Sequence, residues 1–183
     1  MMRKLWGRVI IPALMLFIAS TGGATAHALP GSLISMWQAQ QQLHLSVELA
    51  LEDLLIAAPS LAPLGDITVP QDLSAQQTEA IAAYFADHLT LHDATLTLIS
   101  ATLQAGENAH VGQYTLLIAT FTTPMNGDPF PMTLTYDAVM HEVRNHRATI
   151  YWGQSGTDQQ GLADFGFLMT NGSPRPVVLQ APQ

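Results

Sequence analysis

The sequence predicts a mainly β fold, an antiparallel β-sandwich of Ig-like, Greek-key type with one helix inserted near residues 74–89. Three observations carry that reading. Short segments rich in Thr, Leu, Ile and aromatic residues recur along the chain, as half-buried pleated strands require. Turn signals containing Gly, Asn or Pro separate them. Only one stretch combines a helix cap with apolar residues at helical spacing.

The chain opens with Arg3, Lys4 and Arg8 ahead of an apolar run from Val9 to Ala19, broken only by Pro12. Ala24-Thr25-Ala26 is a small-residue cleavage signal, so residues 1–26 read as a secretory signal peptide and 27–183 as a single β-sandwich domain. Cleavage after Ala28 satisfies the same rule. The apolar run is shorter than the ~20 residues that span a bilayer, and no second run is long enough, so no direct membrane span is expected after cleavage. The expected location is the periplasm or another extracytoplasmic space.

Residues 27–31 read as an extended approach to the first strands, Leu33–Trp37 and Leu43–Leu49, with Gln40-Gln41-Gln42 as the turn. In the second strand Leu43, Leu45, Val47 and Leu49 alternate with His44, Ser46 and Glu48, which gives one apolar and one polar face. From Glu52 to Pro70 the prolines at 59, 63 and 70 forbid a long helix, leaving a short helical turn and a loop. Ser74 then caps a helix running to about His88. Gln77 completes the capping box, and Ile81, Tyr84, Phe85 and His88 share one face. Thr95–Leu103, Gln113–Thr122 and Pro131–Val139 read as strands. The first pair is joined through Ala105-Gly106-Glu107-Asn108 and the second through a hairpin loop containing Asn126-Gly127. Ala148–Gly153, Gly161–Thr170 and Val177–Gln180 complete the strands, with a turn at Asn171-Gly172.

Composition restricts function. There is no cysteine, so disulfides and thiolate metal sites are excluded. The whole chain carries a formal charge of −8, with six basic residues against fourteen acids. Loss of the leader removes Arg3, Lys4 and Arg8 and leaves Arg144, Arg147 and Arg175. Such a surface repels nucleic acid and anionic lipid.

The segment richest in reactive groups runs from Leu134 to Arg147. His141-Glu142 followed by His146 spaces its histidines five apart rather than the four that a zinc protease places on one helix face. On an extended strand Asp137 and His141 stand roughly 13 Å apart. Two arrangements remain open. The chain can turn near Asn145 and bring His141 to His146, or a helical turn starting at Asp137 can bring Asp137 to His141. A plain alternative is a polar corner, with Arg144 or Arg147 paired to Asp137 or Glu142. Cleavage after Ala26 would also expose His27, whose free amine and imidazole can chelate together. The candidate metal ligands are therefore His27, Asp137, His141 and His146. Asp137 acts either as an oxygen ligand or as a carboxylate orienting a histidine. Imidazole and amine donors suit a copper or nickel ion. His88 and His92 read as residues around a helix end, where the dipole favours a cation. His110 reads as a solvated loop residue, and the scattered methionines as core. Ser155 lacks the strand–turn–helix setting of a nucleophile elbow, and no glycine loop cradles phosphate ahead of a helix. No catalytic set emerges.

His27-Ala28-Leu29-Pro30-Gly31-Ser32, Leu51-Glu52-Asp53-Leu54, Tyr84-Phe85-Ala86-Asp87-His88-Leu89 and above all Tyr136-Asp137-Ala138-Val139-Met140-His141-Glu142-Val143-Arg144-Asn145-His146-Arg147-Ala148 resemble the extracytoplasmic N-terminal part of HupE/UreJ-like membrane proteins. That family continues into a helical membrane domain and is linked with nickel and cobalt handling for hydrogenase and urease. This chain stops at Gln183 and is expected to be without that domain. The resemblance thus implies a periplasmic, metal-related domain rather than transport itself. More loosely, the histidine at the mature N-terminus resembles that of copper-resistance carriers and polysaccharide monooxygenases. Two functions are expected from these readings. One is a non-enzymatic accessory domain binding a divalent transition metal. The other is a metal-free interaction module that docks to a separately encoded membrane protein.

Overall fold

The computed structural model describes residues 31–109 and 111–182. The expected signal peptide with its cleavage site, the candidate ligand His27 and the loop residue His110 lie outside them. The described residues form a mainly β fold dominated by antiparallel pairing.

Strands β1 (Ser32–Ala39) and β2 (Gln42–Ala50) make the first hairpin. Its loop is only Gln40 and Gln41, with φ of 50° and 62°. A two-residue hairpin loop that follows the strand twist needs left-handed backbone at both positions, which Asn and Gly adopt more readily than Gln. The apolar face read in β2 holds, with Leu43, Leu45, Val47 and Leu49 all buried, but Ser46 on the other face is buried as well. On the opposite face His44 is not free in solvent. It stacks on its cross-strand neighbour Trp37, with ring centroids 5.1 Å apart.

Where one helical turn and a loop were expected, the chain forms helix α1 (Leu51–Ala57) and then a 3-10 helix (Pro59–Asp66). Both bury leucines: Leu51 and Leu54 from the first, Leu61 and Leu64 from the second. The short strand β3 (Gln71–Asp72) follows. Helix α2 (Ala75–His88) is the one the sequence announced. Ser74 Oγ accepts from the Gln77 amide at 3.4 Å, and Gln77 Oε1 accepts from the Ser74 amide at 2.8 Å. Strand β4 (Leu89–Leu91) leaves the helix directly.

Strands β5 (Thr97–Asn108) and β6 (Gly112–Pro124) form a hairpin longer than expected, because the chain stays extended through Gly106. Tyr114 faces Gly106 across the pair. Its ring fills the space that a side chain would take, and a Cβ there would meet Tyr114 Cζ at 2.5 Å. Strands β7 (Met132–Tyr136), β8 (Arg147–Trp152), β9 (Gln160–Gly166), β10 (Met169–Thr170), β11 (Ser173–Pro174) and β12 (Val177–Leu179) complete the fold.

Among the described residues three sheets result. Seven strands line up as β3-β5-β6-β2-β1-β8-β9, three as β12-β7-β4, and β10 pairs with β11 around Asn171-Gly172. All described pairings are antiparallel except β1 with β8. The expected β6–β7 hairpin does not form. Residues 125–131 instead carry the chain from the large sheet to the small one. The inward residues of the large sheet, α1, α2 and the small sheet share one apolar cluster. Phe85 of α2 meets Phe121 of β6 edge-on at 5.3 Å, which fixes the helix to the large sheet. The β4–β7 pairing ties the end of that helix to the end of β7. Among the described residues no helix is long and apolar enough to cross a membrane.

Candidate metal centre

Register brings the first two groups together. Leu89 pairs with Tyr136, and the Asp137 amide donates to the His88 carbonyl at 3.1 Å, which extends the ladder by one rung. His88 and Asp137 are thus neighbours across two segments far apart in sequence. His88 Nδ1 donates to Asp137 Oδ1 at 2.8 Å; a carboxylate can only accept, so the ring's proton is on that nitrogen. Both side chains are mostly shielded, at 20% and 12% exposure.

The third group arrives by a tight turn. After Tyr136 the chain abandons the strand. The His141 amide donates to the Asp137 carbonyl at 3.2 Å, and the Val143 amide to the Val139 carbonyl at 2.8 Å. His141 Nδ1 also donates to the Asp137 carbonyl, at 3.2 Å. The turn lays the His141 ring flat on that of His88, with centroids 4.1 Å apart and planes 7° from parallel. One donor atom from each of His88, Asp137 and His141 lies within 4.8 Å of the others.

Tyr84, one helical turn before His88, supports the turn from below. Its ring is 4.6 Å from that of His88, and its hydroxyl accepts from the Val139 amide at 2.8 Å. Burial pushes the phenol up to about 12; the Val139 hydrogen bond opposes this and the Asp137 charge adds to it. Val139 is fully buried and has φ of 66°. A β-branched residue there is strained, and such strain persists only where the surroundings over-determine the backbone.

The expected ligands separate accordingly. Asp137 and His141 come together as the Asp137-initiated turn requires, although the carboxylate engages His88 instead of capping the turn. His146 does not join them. Its side chain is 1% exposed, with Nδ1 on Asp53 Oδ2 at 3.1 Å and Nε2 on Ser32 Oγ at 2.8 Å, so both nitrogens are committed. Ser32 Oγ in turn lies 2.5 Å from the Tyr136 hydroxyl. Burial raises the Tyr136 phenol far above its ordinary value, and the Ser32 hydrogen bond pulls the other way. The order Asp–His–Ser is that of a hydrolase triad. Here, however, Ser32 is 2% exposed and its oxygen is also held by Tyr136, so the hydroxyl faces no substrate.

The arginines also differ from expectation. Arg147 pairs with Asp164 rather than with Asp137 or Glu142, and Arg144 lies over the Phe167 ring at 4.1 Å. The Arg147 contact, with help from Thr149, holds the Asp164 carboxyl below its ordinary range. The residue that sequence reasoning missed is His88. Its helix-end position has an adequate local explanation, and only the β4–β7 pairing reveals its partner. No protein-family profile matches this chain, and no curated protein matches it.

Proposed function

We propose that this protein is a non-enzymatic, extracytoplasmic accessory domain that binds a divalent transition metal through His88, Asp137 and His141. The observation that carries the reading is the convergence of two imidazoles and one carboxylate, all partly shielded, from two elements distant in sequence. Relative to the sequence expectation, His88 takes the place of His146.

Imidazole nitrogens beside a single carboxylate suit copper(II) or nickel(II) better than calcium or magnesium. Imidazole and carboxylate bind a metal only in their deprotonated forms, so binding weakens in acid. Three protein donors leave coordination positions for water or an incoming ligand, as a site that accepts and passes on an ion requires. The resemblance of residues 136–148 to HupE/UreJ-like proteins supports the same assignment and an extracytoplasmic location.

Calorimetric titration with copper(II) and nickel(II) tests it. His27 is replaced throughout to remove N-terminal chelation. One ion per chain is expected, with proton release. His88→Ala and His141→Ala should each lower affinity by on the order of 10–100-fold or more. Equal affinity in these variants would refute the site.

One observation favours the second reading, docking to a membrane partner. Beyond the Arg144–Phe167 contact the chain exposes Leu168 and Met169, at 56% and 46%. Association with a membrane protein that is lost in Leu168→Asp, in a chain that takes up no metal, would favour docking over metal binding.

A further inference from the structure

A second, connected polar chain is buried apart from its Asp53 end, whose side chain is 13% exposed. Asp53 of α1 holds His146, His146 holds Ser32 of β1, and Ser32 holds Tyr136 of β7. Tyr136 and His146 bracket the turn that carries Asp137 and His141. One immediately precedes it and the other ends it, where the His146 amide donates to the Val143 carbonyl at 2.9 Å. Both ends are therefore fastened to the same serine, at the start of a strand in the large sheet, while His88 arrives from α2 and the small sheet. The turn also contains Val139 in strained left-handed backbone, a conformation that needs external restraint.

We propose that Asp53, His146, Ser32 and Tyr136 act as positioning residues, a clamp that holds the 137–145 turn so that Asp137 and His141 face His88. This rests on the metal reading for its function, although the clamp itself can be tested without any ion. Ser32 is the keystone. One hydroxyl serves two partners that have no other side-chain bond in common, and its removal frees both ends of the turn at once. A hydroxyl satisfied on both sides within a buried network fixes geometry more tightly than apolar contact would.

The test uses Ser32→Ala, His146→Gln and the conservative Ser32→Thr, each in the full mature chain with His27 replaced. Two readouts are taken on protein shown by circular dichroism to be folded. The first is amide hydrogen exchange at Val139, His141 and Val143. The second is copper(II) affinity, together with the electron paramagnetic resonance spectrum of the bound ion. Ser32→Ala and His146→Gln are expected to speed exchange in the turn, to lower copper affinity by about tenfold and to change the spectrum. Ser32→Thr is expected to restore all three. A merely structural role would reduce the folded fraction but leave the spectrum of bound copper as in the wild type. Wild-type exchange, affinity and spectrum in a folded Ser32→Ala chain would overturn the clamp. Should the wild-type chain bind no copper, the metal reading fails by itself, and turn exchange in Ser32→Ala still decides whether the clamp holds the loop.

Discussion

At the scale of single residues, Tyr84 shows how the site depends on a group that does not bind metal. Its hydroxyl is the acceptor for the buried Val139 amide. Tyr84→Phe leaves that amide unpaired and is expected to cost about 1–3 kcal/mol in denaturant unfolding. Its titration gives a pH dependence of known sign. The phenol rises from 10.0 in the unfolded chain to about 12 in the fold. The folded state therefore holds its proton more tightly, and the stabilisation is complete below pH 10 and is lost as pH rises toward 12. Unfolding free energy should fall across that window by about 1.4 kcal/mol per pH unit for this group, and less steeply in Tyr84→Phe. Tyr136 is shifted in the same direction and adds to the fall. Equal slopes for the wild type and the Phe variant would show that Tyr84 is not buried as described. Residue identity made the 137–147 segment conspicuous, but it could not separate His141 from His146. His146 is taken by Ser32 and Asp53, more than ninety positions away in sequence.

At the scale of elements, legibility follows the range of the forces involved. The capping box of α2 is local, written in Ser74 and Gln77, and the structure reproduces it. Ser74→Ala is expected to lower stability by about 1 kcal/mol in thermal or denaturant melts. The apolar face of β2 is equally local. The β1–β2 loop was legible as a turn but not in its geometry, because Gln40 and Gln41 both adopt left-handed backbone without the residues that favour it. Replacing them with Asn and Gly should therefore raise stability, by about 0.5–1 kcal/mol; a decrease would mean that the glutamine side chains contribute there. The failed expectation of a β6–β7 hairpin has the opposite origin. Asn126-Gly127 is a sound turn signal, but which strands pair afterwards is set by burial. Met132, Leu134 and Tyr136 complete the core against β4 and β12 rather than continuing the large sheet.

At the scale of the molecule, the candidate site lies where a helix end, a small sheet and a clamped turn meet. The mainly β class was readable from composition and turn spacing. The strand order, the parallel β1–β8 pair and the meeting of His88 with Asp137 are long-range choices that no local pattern encodes. A net charge of −8 favours approach of cations generally, so charge alone does not make a site and selectivity has to come from the donors. The central claim is that His88, Asp137 and His141 bind one ion together. X-ray absorption of the nickel(II)- or copper(II)-loaded chain with His27 replaced tests this most directly, because it counts imidazoles around the metal. Two imidazoles in the parent chain and one in His88→Ala are the expected result. An unchanged imidazole count in His88→Ala, or an ion coordinated by oxygen alone, would contradict it.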